Sequence, residues 1–126
     1  MRLNTLLLIA GLLALGFGLS FLLVPGIVLP IYGLDPAPAT VLMSRFFGAA
    51  LVQLGTTLYL VREVHQPDAR RALALAGIVG SAAGMAVALM GQLAGLVNAM
   101  GWSTVAIYAL LLFGYAVQLR ERPATA

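Results

Sequence analysis

Three stretches of this chain carry no charge at all: Leu3–Leu34, Phe46–Val61 and Ala72–Leu119. The last holds 48 residues. As one straight helix it would run about 72 Å, more than twice a hydrocarbon core of ~30 Å. A small soluble fold still exposes a large share of its area, so it has nowhere to hide such a run. In a chain of 126 residues, 62% are hydrophobic, 9% are charged and none is cysteine. Soluble domains carry roughly a quarter charged residues. The composition therefore excludes a soluble globular enzyme, a disordered tail and a disulfide scaffold. It predicts a small all-α integral membrane protein, one domain over residues 1–126.

The long stretch has to fold back, and Asn98-Ala99-Met100-Gly101 is the break signal near its middle. The first stretch, 32 residues, is also too long for one span at about 48 Å. Pro25 and Pro30 end its helix early, because proline removes a backbone donor and clashes with the preceding turn. The result is a four-transmembrane-helix bundle with spans at Thr5–Val24, Val41–Val61, Ala72–Leu96 and Trp102–Leu119. The apolar segment Pro25–Leu34 reads as a short broken helix, lying at the interface or folded against the bundle.

All seven basic residues are arginine, and they are unevenly placed. With four alternating spans, Arg2, Arg62, Arg70, Arg71, Arg120 and Arg122 fall on one side, and the opposite loops hold only Asp35. The positive-inside rule then puts both termini of this multi-pass protein in the cytoplasm. Anionic lipid headgroups account for the net charge of +3, so membrane lipids are the expected partner and nucleic acid is not. A cleaved signal peptide fits less well. The apolar run is longer than a signal core, and the nearby small-x-small site, Ala37-Pro38-Ala39, lies far downstream. Without cysteine there is no thiol redox chemistry and no thiolate metal site. No metal and no cofactor is expected.

Helices in lipid associate through close backbone approach and polar contacts rather than by hiding apolar area. In the third span Gly77, Gly80, Gly84, Ala88, Gly91 and Gly95 make one face of small residues. The first span carries Gly11, Ala14 and Gly18, and the second Gly48 and Gly55. These seams serve either packing inside a monomeric bundle or a homo-oligomer interface. Tyr32 and Trp102 fall at the outer boundary, and Tyr59 and Tyr115 near the inner one, where aromatic residues with polar tips favour headgroup level.

Arg45 is the one charge inside a predicted span, roughly 6 Å deep. It shares a helical face with Gly48, Val52, Gly55 and Tyr59, which predicts that it points into the bundle. An intramembrane charge on an interior face marks a functional site; the plainer reading is an arginine snorkelling to the outer interface. Asp35 either pairs with Arg45 or only starts the turn before Pro36. Gln92, Asn98 and Trp102 share the outer depth of Arg45, so the set is a candidate pocket for an anionic or polar headgroup. Equally, Gln92 bonds a neighbouring helix and Asn98 ends one. Gln53, Thr56 and Thr57 lie near mid-bilayer, as interhelical bonds or as the lining of a transport path. His65 is a lone loop residue, and Asp68 after Pro67 suits a helix start.

Known four-span classes leave residues that this chain lacks. A proton-coupled small multidrug transporter buries an acid in its first span, whereas Leu3–Leu34 has none. A fluoride channel carries glycine-arginine and threonine-phenylalanine motifs, and a quinone-linked haem subunit carries histidines within its spans. Neither feature is present, and neither are catalytic triads or phosphate-binding glycine loops.

The first span runs into a proline-containing stretch ending Pro30-Ile-Tyr-Gly-Leu34, and the second opens with Arg45-Phe-Phe-Gly-Ala-Ala50. Followed by a glycine- and alanine-rich third span and an uncharged fourth, this pattern resembles the DoxX-like small bacterial four-helix membrane proteins, including relatives of unknown function. The resemblance covers most of the chain. It implies a four-helix membrane bundle, with some members associated with quinone-linked sulfur oxidation or oxidative-stress complexes. It supplies no catalytic residues, but Arg45 matches an arginine often found at the start of span two. Three functional expectations follow. The first is a non-enzymatic protein that binds a lipid-like or amphipathic small molecule or acts as an accessory subunit, alone, as a homo-oligomer or with a membrane-complex partner. The second is an oligomeric channel or transporter. The third is a quinone-associated oxidoreductase subunit whose redox centre belongs to a partner.

Overall fold

A computed structural model describes residues 2–120. Glu121 and Arg122, the latter counted above among the arginines, lie outside the described residues. Those described are helical throughout, with no strand: α1 Leu3–Leu23, α2 Pro25–Ile31, α3 Pro38–Val61, α4 Pro67–Leu93 and α5 Gly101–Arg120. Helices α1, α3, α4 and α5 are each long and apolar enough to cross a membrane. The chain is therefore a multi-pass membrane protein in architecture. The broken segment is α2, folded against α1 and α3 with Leu29 buried.

The helix ends differ from the expected ones for local reasons. Both α3 and α4 begin on a proline, Pro38 and Pro67, whose fixed φ and missing N–H suit the first helical position. In α4 the charged turn Asp68–Arg71 is already helical, so the span starts five residues before the charge-free stretch does. An acid there favours the helix N-terminus electrostatically. At its other end α4 stops at Leu93, short of the Asn98 break. Gly95 adopts φ +73°, Leu96 N–H donates to the Gly91 carbonyl at 3.0 Å, and Gly95 N–H to that of Gln92 at 3.2 Å. This is a Schellman cap, so Gly95 ends the helix instead of extending its small face. Gly33, φ +77°, closes α2 in the same way through Leu34 N–H to Leu29 O and Gly33 N–H to Pro30 O. Gly95→Ala is expected to cost about 1 kcal/mol, because an alanine resists the left-handed region. Gly91→Ala, with no atom within 4 Å of the added Cβ, is expected to leave stability level or slightly higher. Unfolding midpoints of the two variants check the contrast.

The bundle is built from two antiparallel hairpins. In the first, α1 and α3 meet through reciprocal glycines. A Cβ on Gly18 would sit 2.9 Å from the Gly48 carbonyl oxygen, and one on Gly48 would sit 2.7 Å from that of Gly18. The pair Gly11 and Gly55 does the same at 3.1 and 2.7 Å. The pairs are seven residues apart on each helix, two turns, so both fall on one seam and the backbones touch.

In the second hairpin the glycines receive rings instead of backbone. The Tyr115 ring occupies the Cβ position of Gly77, and the Tyr108 ring that of Gly84. Gly80, Gly91 and Gly95 face no atom within 4 Å. The small face of α4 is thus not one continuous helix–helix seam. Tyr115 lies at the arginine-bearing end but is 3% exposed, packed in the core instead of presented at the surface. Tyr59 remains exposed, with the Arg62 guanidinium 3.9 Å from its ring centroid.

The hairpins join at their two ends. At the end bearing Arg2, Arg62 and Arg120, the residues Leu3, Leu6, Leu7, Ala10, Leu58 and Tyr115 form the buried core. At the opposite end Asn98 N–H donates to Tyr32 O at 3.0 Å and Asn98 Nδ2 to Ile31 O at 3.1 Å, tying the α4–α5 loop to the end of α2. Between these ends α3 and α4, although consecutive, scarcely touch. Outer faces are strongly apolar: Val79, Val87, Met90, Leu110 and Phe113 are about 70% exposed. Hydrocarbon is the natural solvent for such a surface.

Candidate functional site

Holding two hairpins together at their ends leaves a space in the middle. It is a cavity of about 630 Å³ with walls from all four spans. Ala14 and Phe17 of α1 and Leu51 and Leu54 of α3 form one side; Gly80 and Ser81 of α4 face Thr104 and Tyr108 of α5 on the other. Small side chains on α4 make the space, since Gly80 fills none of it. The core residues Leu58 and Tyr115 close the arginine-bearing end. At the other end Phe21, Tyr32 and Phe47 form an aromatic roof, Phe21 stacked on Tyr32 at 6.4 Å and edge-on to Phe47 at 5.4 Å. The weak contact between α3 and α4 leaves the cavity accessible from the side, where the lining residues Phe47 and Leu54 are 45% and 48% exposed. In a bilayer that side faces lipid chains.

Among the described residues no Asp, Glu, Lys, Arg or His lines the cavity. Its polar groups are hydroxyls, and they are not alike. Thr57 is spoken for by its own helix, donating to the Gln53 carbonyl at 2.8 Å. Ser20, outside the cavity, does the same to Gly16 at 2.7 Å. Such back-bonding is the usual way for a hydroxyl to satisfy itself in a helix. Ser81, Thr104 and Tyr108 make no hydrogen bond among the described residues, and Ser81 is only 5% exposed. In an apolar interior an unpaired hydroxyl is costly.

The structure divides the residues singled out from the sequence. Arg45 is exposed on α3 and does not point into the bundle. The buried face of α3 is centred on Ser44, Gly48, Gly55 and Leu58, and Arg45 is turned about 100° from Ser44. Asp35 is exposed and forms no ion pair with Arg45; among the described residues the one ion pair is Arg62–Glu63, at 3.4 Å. Gln92 and Asn98 are brought together, Gln92 Nε2 donating to the Asn98 carbonyl at 3.1 Å, but as part of the loop clasp. The Asn98 side chain is fully engaged, its Oδ1 accepting from Met100 N–H at 3.0 Å while its Nδ2 holds Ile31. Gln92 Oε1 is buried without a partner beside Gly101. Trp102 is 49% exposed in the first turn of α5 and does not line the cavity. Of the mid-bilayer set, Thr57 reaches the cavity, while Gln53 and Thr56 are exposed away from it. The cavity is bordered by the core cluster at the arginine-bearing end and by the Phe21, Tyr32 and Phe47 rings at the other.

Sequence reasoning passed over Ser81, Thr104 and Tyr108. A signal for Tyr108 was present: Tyr108 and Tyr115 repeat at the same seven-residue step as Gly77 and Gly84, so each ring meets a glycine across the hairpin. Thr104 lies one turn from Tyr108 on that face. Compared with protein-family models, curated proteins and solved structures, the chain matches none.

Proposed function

We propose that this protein binds one lipid-like small molecule, drawn sideways from the bilayer into the cavity between its hairpins, and that it does so without catalysing a reaction on it. The observation that carries this reading is the cavity itself: about 630 Å³, apolar, and open between α3 and α4. That volume lies within the ~300–1,000 Å³ range of small-molecule sites. Core packing at one end and aromatic rings at the other favour retention over conduction, so the reading is preferred to a channel. The setting is a bacterial inner membrane with both termini cytoplasmic, supported by the gathering of Arg2, Arg62, Arg70, Arg71 and Arg120 at one end of the bundle. Kinship with the DoxX-like group belongs to the same proposal and rests on the sequence pattern.

Gly80→Leu tests it. Gly80 lines the cavity and an added Cβ there meets no atom within 4 Å, so the new side chain grows into open space. Relief of a helical glycine contributes about 0.5–1 kcal/mol, so the bundle should melt at or above the temperature of the unaltered protein. Lipid retained through mild detergent purification, counted by native mass spectrometry, should fall about tenfold for an affinity loss near 1.4 kcal/mol. Equal retention by the variant would show that the bound lipid sits elsewhere.

A further inference from the structure

The cavity's wall chemistry specifies what its occupant must be. We infer that the ligand is a neutral lipid whose hydroxyl or carbonyl end is met by the Ser81, Thr104 and Tyr108 hydroxyls inside the bilayer, and not a charged lipid anchored by Arg45. This rests on the cavity-binding reading and narrows it to a ligand class.

Two observations lead there. First, among the described residues no Asp, Glu, Lys, Arg or His lines the cavity, and Arg45 is exposed and outside its lining. A phosphate or carboxylate carried inside would lose its hydration with no counter-charge to replace it, which costs far more than a buried hydroxyl or ester does. Second, Ser81 is almost wholly buried, lines the cavity, and lacks the back-bond that Ser20 and Thr57 make four residues upstream. With Thr104 and Tyr108, it leaves donors and acceptors on the α4 and α5 wall that nothing in the described chain uses. The opposite wall, with Leu51 and Leu54 of α3 and Ala14 and Phe17 of α1, is mainly carbon; its hydroxyls are Thr57, already bonded to its own helix, and Tyr32 in the roof. The span walls are thus unequal: Ser81, Thr104 and Tyr108 offer unused hydroxyls on the second hairpin, while the first is mainly hydrocarbon and its span hydroxyl, Thr57, is already bonded. An uncharged amphiphile fits that division, with its polar end against α4 and α5 and its chains along α1 and α3 toward the side opening. Each hydroxyl both donates and accepts, so an alcohol and a carbonyl are equally served.

The experiment uses the full chain in dioleoylphosphatidylcholine vesicles doped with equal amounts of dioleoylglycerol and dioleoylphosphatidate. These two lipids share their acyl chains and differ by the phosphate. After mild extraction the retained lipid is counted by native mass spectrometry. Dioleoylglycerol is expected to exceed dioleoylphosphatidate about tenfold. The double variant S81A/Y108F, which keeps the ring of Tyr108 on Gly84, should lose most of that preference. Arg45→Ala should leave it unchanged. Y108F alone, the milder change, should lose part of it and serves if the double variant misfolds. Equal retention of the two lipids, or a preference that survives S81A/Y108F and disappears in Arg45→Ala, overturns the inference while leaving a lipid-binding cavity standing. Retention of neither lipid, with Gly80→Leu indistinguishable from the unaltered protein, overturns the cavity reading itself.

Discussion

Gly48→Ala should destabilise the bundle by about 3 kcal/mol, and Gly48→Leu should prevent the α1–α3 hairpin from closing. The Cβ of either residue would lie 2.6 Å from the Leu22 amide nitrogen and 2.7 Å from the Gly18 carbonyl oxygen. Both are backbone atoms of a regular helix, so no rotamer change relieves the clash. The helices have to part, and parting them loses the neighbouring contact of Gly11 with Gly55, two turns along the same seam. Lipid chains readily take up the apolar surface that opens, so no hydrophobic penalty drives the helices back together. Two measurements follow the change: the unfolding midpoint in mixed detergent, and a spin-label distance between α1 and α3. The chain has no cysteine of its own, so labelled pairs can be introduced without background. Gly26→Ala, where no atom lies within 4 Å of the new Cβ, is the matched control and should shift neither. An unchanged midpoint in Gly48→Ala would mean that the two backbones do not touch at this seam.

That seam was legible in the sequence because the information for it is local to each helix: Gly11 and Gly18 on one, Gly48 and Gly55 on the other, at matching steps. The four spans were legible for the same kind of reason, since a charge-free run longer than a bilayer is thick must fold back. Where local signals misled, a second helix had decided the outcome. Arg45 lies close enough to Gly48 in angle to be read onto its face, but the centre of the buried face is fixed by how α3 meets α1, and that centre is Ser44. The glycine stripe of α4 looked like a single interface, yet Tyr108 and Tyr115 claim two of its members, Gly95 caps the helix, and Gly80 is left to line the cavity. The cavity had no signature of its own. It exists because α3 and α4 fail to pack, and the absence of a contact between two apolar helices leaves no mark on the pattern of either.

The joint between the hairpins carries the second large effect. Tyr115→Ala should destabilise the protein by about 3 kcal/mol and let the hairpins separate at the arginine-bearing end. Tyr115 is 3% exposed, its ring lies on Gly77 of α4, and it belongs to one cluster with Leu6 and Leu7 of α1 and Leu58 of α3. One side chain therefore contacts or clusters with all three other spans, at the end where α1 and α5 bring the hairpins together. Truncating a large aromatic in a packed interior leaves a void whose walls lose their dispersion partners, and that loss remains in a membrane even though lipid competes for apolar area. The void would also open the floor of the cavity, because Tyr115 is part of its lining. Lipid retention should then fall together with stability, unlike in Gly80→Leu, where retention falls and stability does not. Tyr115→Phe keeps the ring and should stay within about 1 kcal/mol of the unaltered protein. Spin labels on Leu60 of α3 and Phe113 of α5, both exposed, report the separation directly: a longer and broader distance in Tyr115→Ala, and an unaltered one in Tyr115→Phe. Were the distance to stay narrow while stability dropped, the hairpins would be held at that end by α1 and α5 without the ring, and Tyr115 would act only within the α4–α5 pair.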